Sequence, residues 1–171
     1  MNVPDIDAAD VAAIARQLGR VPRGVVAIAH RCPCGEPDAV TTAPRLDDGT
    51  PFPTTYYLTC PRAASAVGRL EGGGVMREME GRLGSDPELA AAYRAAHESY
   101  LADRELLEPV EEIAGVSAGG MPDRVKCLHV LLAHALAAGP GVNPLGDEVR
   151  AKVGSWWEPM CCRDAVAEEG S

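Results

Sequence analysis

A chain of 171 residues with a formal net charge of -9 lacks the excess of Lys and Arg with which general nucleic-acid binders neutralise phosphates. Apolar residues at 46% and charged residues at 24% exclude a disordered chain, and the length suits one domain with its own core. Aromatics at only 4% leave aliphatic side chains and alanine to fill that core, which favours packed helices over a sandwich of sheets.

Taken in chain order, Asp7 to Leu18 carries Val11, Ile14, Ala15 and Leu18 at helical spacing, with Gly19 as the stop. Gly24 to Ala29 and Ala39 to Thr42 read as two antiparallel strands around a turn punctuated by Pro33, Gly35 and Pro37. Thr54 to Thr59 has the strongest strand propensity and completes a small three-stranded sheet. Pro61 opens a helix to Glu71, and Gly72-Gly73-Gly74 breaks it before a second helical stretch from Val75 to Leu83. Ser85-Asp86-Pro87-Glu88 reads as a capping box for a long helix whose apolar stripe is Leu89, Ala92, Tyr93, Ala96, Tyr100 and Leu107. Pro122 is expected to start a helix reaching Ala138, and Asn143-Pro144 to cap a last one running toward Trp156-Trp157. The fold class expected is α+β: a mostly helical single domain, residues 1–158, with a small antiparallel three-stranded sheet in its N-terminal half. Residues 159–171 read as a flexible acidic tail.

Met1-Asn2-Val3-Pro4-Asp5 lacks the basic start and apolar core of a secretory signal, and no run of about 18 apolar residues offers a membrane span. A cytoplasmic protein is expected, in which the six cysteines stay reduced unless they bind metal or do redox chemistry. In Cys32-Pro33-Cys34 a single residue separates the thiols, too few for a zinc knuckle. If residues 122–138 are one helix, Cys127 and His134 lie about 10.5 Å apart along its axis at 1.5 Å per residue. On that helix Cys127 also points about 160° away from His129, which disfavours the two as nucleophile and base. Any metal site must then be assembled from distant segments, and the expected ligands are Cys32, Cys60, Cys127 and His129, for zinc or an iron-sulfur cluster. His134 and His97 are expected on exposed helix faces.

A second constellation is the glycine loop of residues 119–122 running into a helix start with Arg124 and Lys126. An anionic or phosphorylated ligand is expected to suit it, met also by Arg31 and Arg69. A third reading is a non-enzymatic adaptor that grips a protein partner through the arginines of residues 11–35 or an exposed Trp156-Trp157 end.

The runs Arg31-Cys32-Pro33, Gly49-Thr50-Pro51-Phe52-Pro53-Thr54, Arg69-Leu70-Glu71, Val125-Lys126-Cys127-Leu128-His129 and Asn143-Pro144-Leu145-Gly146 occur in that order. Over residues 15–155 they resemble the bacterial family called domain of unknown function 501, in its actinobacterial branch. The resemblance implies no established activity. Genes of such proteins tend to lie near those for a small division-septum protein and an exopolyphosphatase-like enzyme, which extends the adaptor reading to cell division or the envelope. Cys34 and the pair Cys161-Cys162 depart from the family pattern, which sets those three aside as ligands.

Overall fold

The computed structural model describes residues 6–164. Helix α1 (Ala8–Leu18) starts where the Asp7 carboxylate accepts from the Asp10 N–H and stops at Gly19, left-handed at φ 70°. Strands β1 (Val25–Arg31), β2 (Pro37–Thr42) and β3 (Tyr56–Leu58) form one antiparallel sheet in the order β1-β2-β3. The β1–β2 turn is closed by Cys32 N–H to the Glu36 carbonyl at 2.9 Å and Gly35 N–H to the Cys32 carbonyl at 2.8 Å. Helices α2 (Pro61–Glu71), α3 (Val75–Ser85), α4 (Pro87–Leu107), α5 (Leu128–Ala138) and α6 (Pro144–Val153) follow. The result is a mostly helical α+β domain with its sheet in the N-terminal half.

Local chemistry accounts for the boundaries that differ from the sequence reading. Asp86, not Ser85, caps α4, because its carboxylate accepts from the Glu88 and Leu89 amides while Ser85 still belongs to α3. The buried stripe of α4 is Tyr93, Ala96, Tyr100 and Arg104, with Ala92 exposed. Arg104 replaces an apolar residue there because it donates to the carbonyls of Pro53 and Ile113 and so ties two loops to the helix. Helix α5 begins at Leu128 rather than Pro122. Gly119 and Gly120 sit at φ 70° and 96°, and the Arg124 and Lys126 amides turn back onto their carbonyls at 2.8 Å.

The core is centred on α5, which packs on the sheet and against α2 and α6. Seven of its eleven residues are buried, so it is apolar around most of its circumference. His134 is among them, contrary to the exposed position expected. α6 approaches α5 so closely that a Cβ at Gly146 would overlap the Leu131 carbonyl oxygen and lie 2.8 Å from the Ala135 Cβ. Gly146→Ala is therefore expected to destabilise the fold by about 1–3 kcal/mol, read as a lowered midpoint in urea with unchanged m-value.

The chain does not leave the domain after Pro159. Trp156, Cys161 and Cys162 are buried, so Trp156 is not the exposed grip expected of an adaptor. Arg62 on α2 donates to the carbonyls of Trp156 and Glu158, and Arg163 pairs with Glu36 in the β1–β2 turn. The sequence-predicted flexible tail thus packs onto the domain through Asp164, and residues 165–171 lie outside the described part. Among the described residues, no helix is long and apolar enough to cross a membrane.

Candidate functional site

Two sulfur-bearing sites emerge, and the four expected ligands are divided between them. The first gathers around the β1–β2 turn. Cys34 in that turn and Cys161 in the C-terminal segment are joined as a disulfide, with Cα atoms 5.6 Å apart across a sequence separation of 127. The Cys162 sulfur lies within 4.8 Å of both. Cys60, the N-cap of α2, hydrogen-bonds with Cys162. That contact and burial push the Cys60 thiol up, while the same hydrogen bond holds Cys162 low. Cys32 lies beside them, its thiol pushed up first by burial, and the Trp156 indole N–H faces its sulfur. Trp156 Nε1 has no regular hydrogen-bond partner although it is buried. Gln17 from α1 donates to the Cys162 sulfur at 3.6 Å and to the Pro37 carbonyl at 2.6 Å. Cys34, Cys161 and Cys162, the three thiols the family pattern set aside, are therefore the heart of this site.

The second site lies where α2 ends against the start of α5. Cys127 is the N-cap of α5, with φ -151° and ψ 108°, and so is not helical. Its sulfur consequently lies with His129 and Glu71, the ligand atoms of all three within 4.8 Å of one another. The sequence reading that pointed Cys127 and His129 apart assumed a helix this residue does not join. Glu71 Oε1 accepts from the Leu128 N–H at 2.9 Å, capping α5 from outside, and lies 2.8 Å from His129 Nδ1. His129 Nε2 lies 3.1 Å from the Ala64 carbonyl. Both ring nitrogens face groups that only accept, so both carry protons and the ring is an imidazolium. Its pKa is raised to about 9, chiefly by the hydrogen bond with Cys127 and then by Glu71. The Cys127 thiol is held low against its burial by that hydrogen bond and by the Val130 N–H.

The basic residues expected around an anion do not stand free as a set. Arg31 makes a paired contact with Asp10 at 2.8 and 2.9 Å, and Arg124 pairs with Glu80 at 2.8 Å. Arg69 and Lys126 are exposed, with no ion pair among the described residues. The loop amides of Arg124, Val125 and Lys126 are already bonded to Gly120, Glu80 and Gly119. Of the arginines near the N-terminus, Arg16 pairs with Glu36 and Arg23 with Asp48, which disperses the basic stretch.

Sequence spacing missed Glu71, Cys161 and Cys162. Glu71 carried a signal in that it ends a helix immediately before three glycines, where a side chain can reach a neighbouring helix start. The tail cysteines carried only their adjacency.

The fold and these two sites define the molecule as an α+β thiol protein with its sulfurs buried or half-buried. The chain belongs to the DUF501 family, described as proteins of unknown function, whose match covers residues 28–151. No curated protein and no solved structure matches the chain. Cys161 and Cys162 lie outside the matched segment, whereas Cys32, Cys34, Cys60, Glu71, Cys127 and His129 lie within it.

Proposed function

We propose that this is a metal-binding protein whose reduced form holds one zinc ion through Cys34, Cys60, Cys161 and Cys162. The observation that carries the reading is the convergence of these four sulfurs from three distant segments. Four thiolates form a closed set for structural zinc. Zinc–sulfur bonds of about 2.3 Å in a tetrahedron separate the sulfurs by about 3.8 Å, inside the 4.8 Å that encloses the Cys34, Cys161 and Cys162 sulfurs, and Cys60 joins them through its contact with Cys162. An iron-sulfur cluster places several atoms between its ligands and spreads them further, so the spacing favours a single ion. The neighbourhood also suits thiolates: Gln17 donates into the site, and the partnerless indole N–H of Trp156 faces Cys32 beside it.

Of the four ligands expected from sequence, this reading keeps Cys60, places Cys32 beside the ion and separates Cys127 and His129 from it. His129 offers no lone pair to a metal while both of its nitrogens donate. The disulfide between Cys34 and Cys161 is then the oxidised form, in which peroxide accepts two electrons and two protons to become water and the sulfurs no longer hold metal.

Protein purified anaerobically with reductant is expected to carry about one zinc per chain by elemental analysis. Cys60→Ser and Cys162→Ser are each expected to lower zinc affinity by at least about tenfold, measured by competition with a chromogenic chelator. Reduced, folded protein that arrives without zinc and takes up none from a buffered zinc solution sinks the reading.

A further inference from the structure

The second sulfur site opens onto a cleft of about 690 Å³ between the end of α1, β3, α2 and the start of α5. Cys127 and His129 line it together with Leu18, Tyr57, Leu58 and Val130, so a sulfur sits in the wall of a predominantly apolar groove. This cleft is of the size that holds a small organic ligand.

We propose that Cys127 is a nucleophilic thiolate that takes an acyl group from an ester or thioester whose apolar body lies in this cleft. The assignment rests on three features of the geometry. Cys127 is outside the helix and at its N-terminus, where the Val130 N–H and the helix dipole favour a negative sulfur. His129, fixed between Glu71 and the Ala64 carbonyl, sets a positive ring beside that sulfur. Glu71 is itself fixed by the Leu128 amide, so the acceptor that orients the ring is held in place by the α5 cap. The titratable groups that bear on Cys127 are thus His129 from α5 and Glu71 from α2.

His129 is a positioning residue: its ring nitrogens are held by Glu71 and the Ala64 carbonyl, and the charged ring also meets the Cys127 sulfur. The group around Cys127 contains no second sulfur, which distinguishes it from a dithiol redox site. In the reaction, the Cys127 Sγ electron pair adds to the carbonyl carbon, and the new C–S bond replaces the donor's C–O or C–S bond. The leaving alkoxide or thiolate departs with the electron pair of the donor bond that breaks. Water then hydrolyses the thioester on Cys127 to the carboxylic acid, returning the thiolate and one proton.

The test uses the full chain with iodoacetamide, p-nitrophenyl octanoate and the octanoyl thioester of N-acetylcysteamine, with each cysteine followed separately by peptide mass spectrometry. Near pH 6, Cys127 is expected to alkylate at least about tenfold faster than free cysteine, because more of it is thiolate. One or both acyl donors are expected to leave an octanoyl group on the Cys127 peptide, absent in Cys127→Ser. His129→Asn is expected to slow alkylation about tenfold near pH 6 and to recover near pH 9, a pH rescue that loss of packing alone would not give. Should that variant fail to fold, the pH profile of the wild-type Cys127 peptide decides the same point. A Cys127 no faster than free cysteine near pH 6 overturns the proposal, and so does fast alkylation with neither an acyl adduct nor Cys127-dependent release of p-nitrophenol or free thiol from the donors. Because Cys127 is separate from the zinc ligands, neither outcome depends on whether zinc is bound.

Discussion

Acidification from about pH 6.5 to about pH 4 is expected to destabilise the fold by about 3 kcal/mol through His134 alone. The cause begins with a helix cap. Asn143 Oδ1 accepts from the Gly146 N–H at 2.9 Å, which turns the Asn143 Nδ2 toward His134 Nδ1 at 3.2 Å. An amide NH₂ only donates, so Nδ1 must accept and the proton resides on Nε2. That Nε2 is buried and partnerless, with the ring 5.8 Å from Tyr56 and 5.1 Å from Tyr100 between centroids. A second proton would bring a full charge into this apolar setting, and burial therefore lowers the His134 pKa to about 4. In the unfolded chain the ring takes a proton at about pH 6.5, so between these values the unfolded state binds more protons and stability falls as pH falls. Urea unfolding across this window should show the slope, and His134→Phe should flatten it. A wild-type protein equally stable at both ends would contradict the account.

Trp156→Ala is expected to cost about 3–5 kcal/mol, the range for deleting a large buried aromatic, and to weaken metal retention as well. Trp156 packs edge to face on Trp157, their centroids 4.9 Å apart. Its carbonyl takes a 2.6 Å bond from Arg62, and its indole faces Cys32. Trp156 is thus held to α2 by its backbone and meets the sulfurs with its indole, and an alanine leaves a void beside them. The measurements are the urea midpoint and, on the same variant, chelator competition for zinc. Destabilisation without any change in zinc affinity would detach Trp156 from the sulfur site.

Most of the architecture is legible in the sequence because it rests on local signals. The α1 stripe with Gly19, the glycine break after Glu71, and the turn residues 32–36 each act within one element. What escaped was set by contacts between distant residues. The start of α5 depends on a loop folded onto Gly119, Gly120 and Glu80, so Cys127 fell outside the helix and its direction relative to His129 could not be inferred from 100° per residue. His134 is buried because α5 is covered on nearly every side, a fact of tertiary packing that its own periodicity does not carry. The sulfur site escaped for a related reason: Cys161 and Cys162 look incidental until Arg62 and Glu36 anchor their segment against α2 and the β1–β2 turn.

The span between Cys34 and Cys161 has a consequence for the unfolded chain. A link at these two positions, by a sulfur–sulfur bond or through a shared ion, closes a loop across a sequence separation of 127 that contains most of the domain. Closing a loop of that length removes conformational freedom worth about 5 kcal/mol from the denatured ensemble in the chain-entropy description. The same two residues would then govern both what the protein binds and how large a share of its stability survives a change in redox state or metal supply.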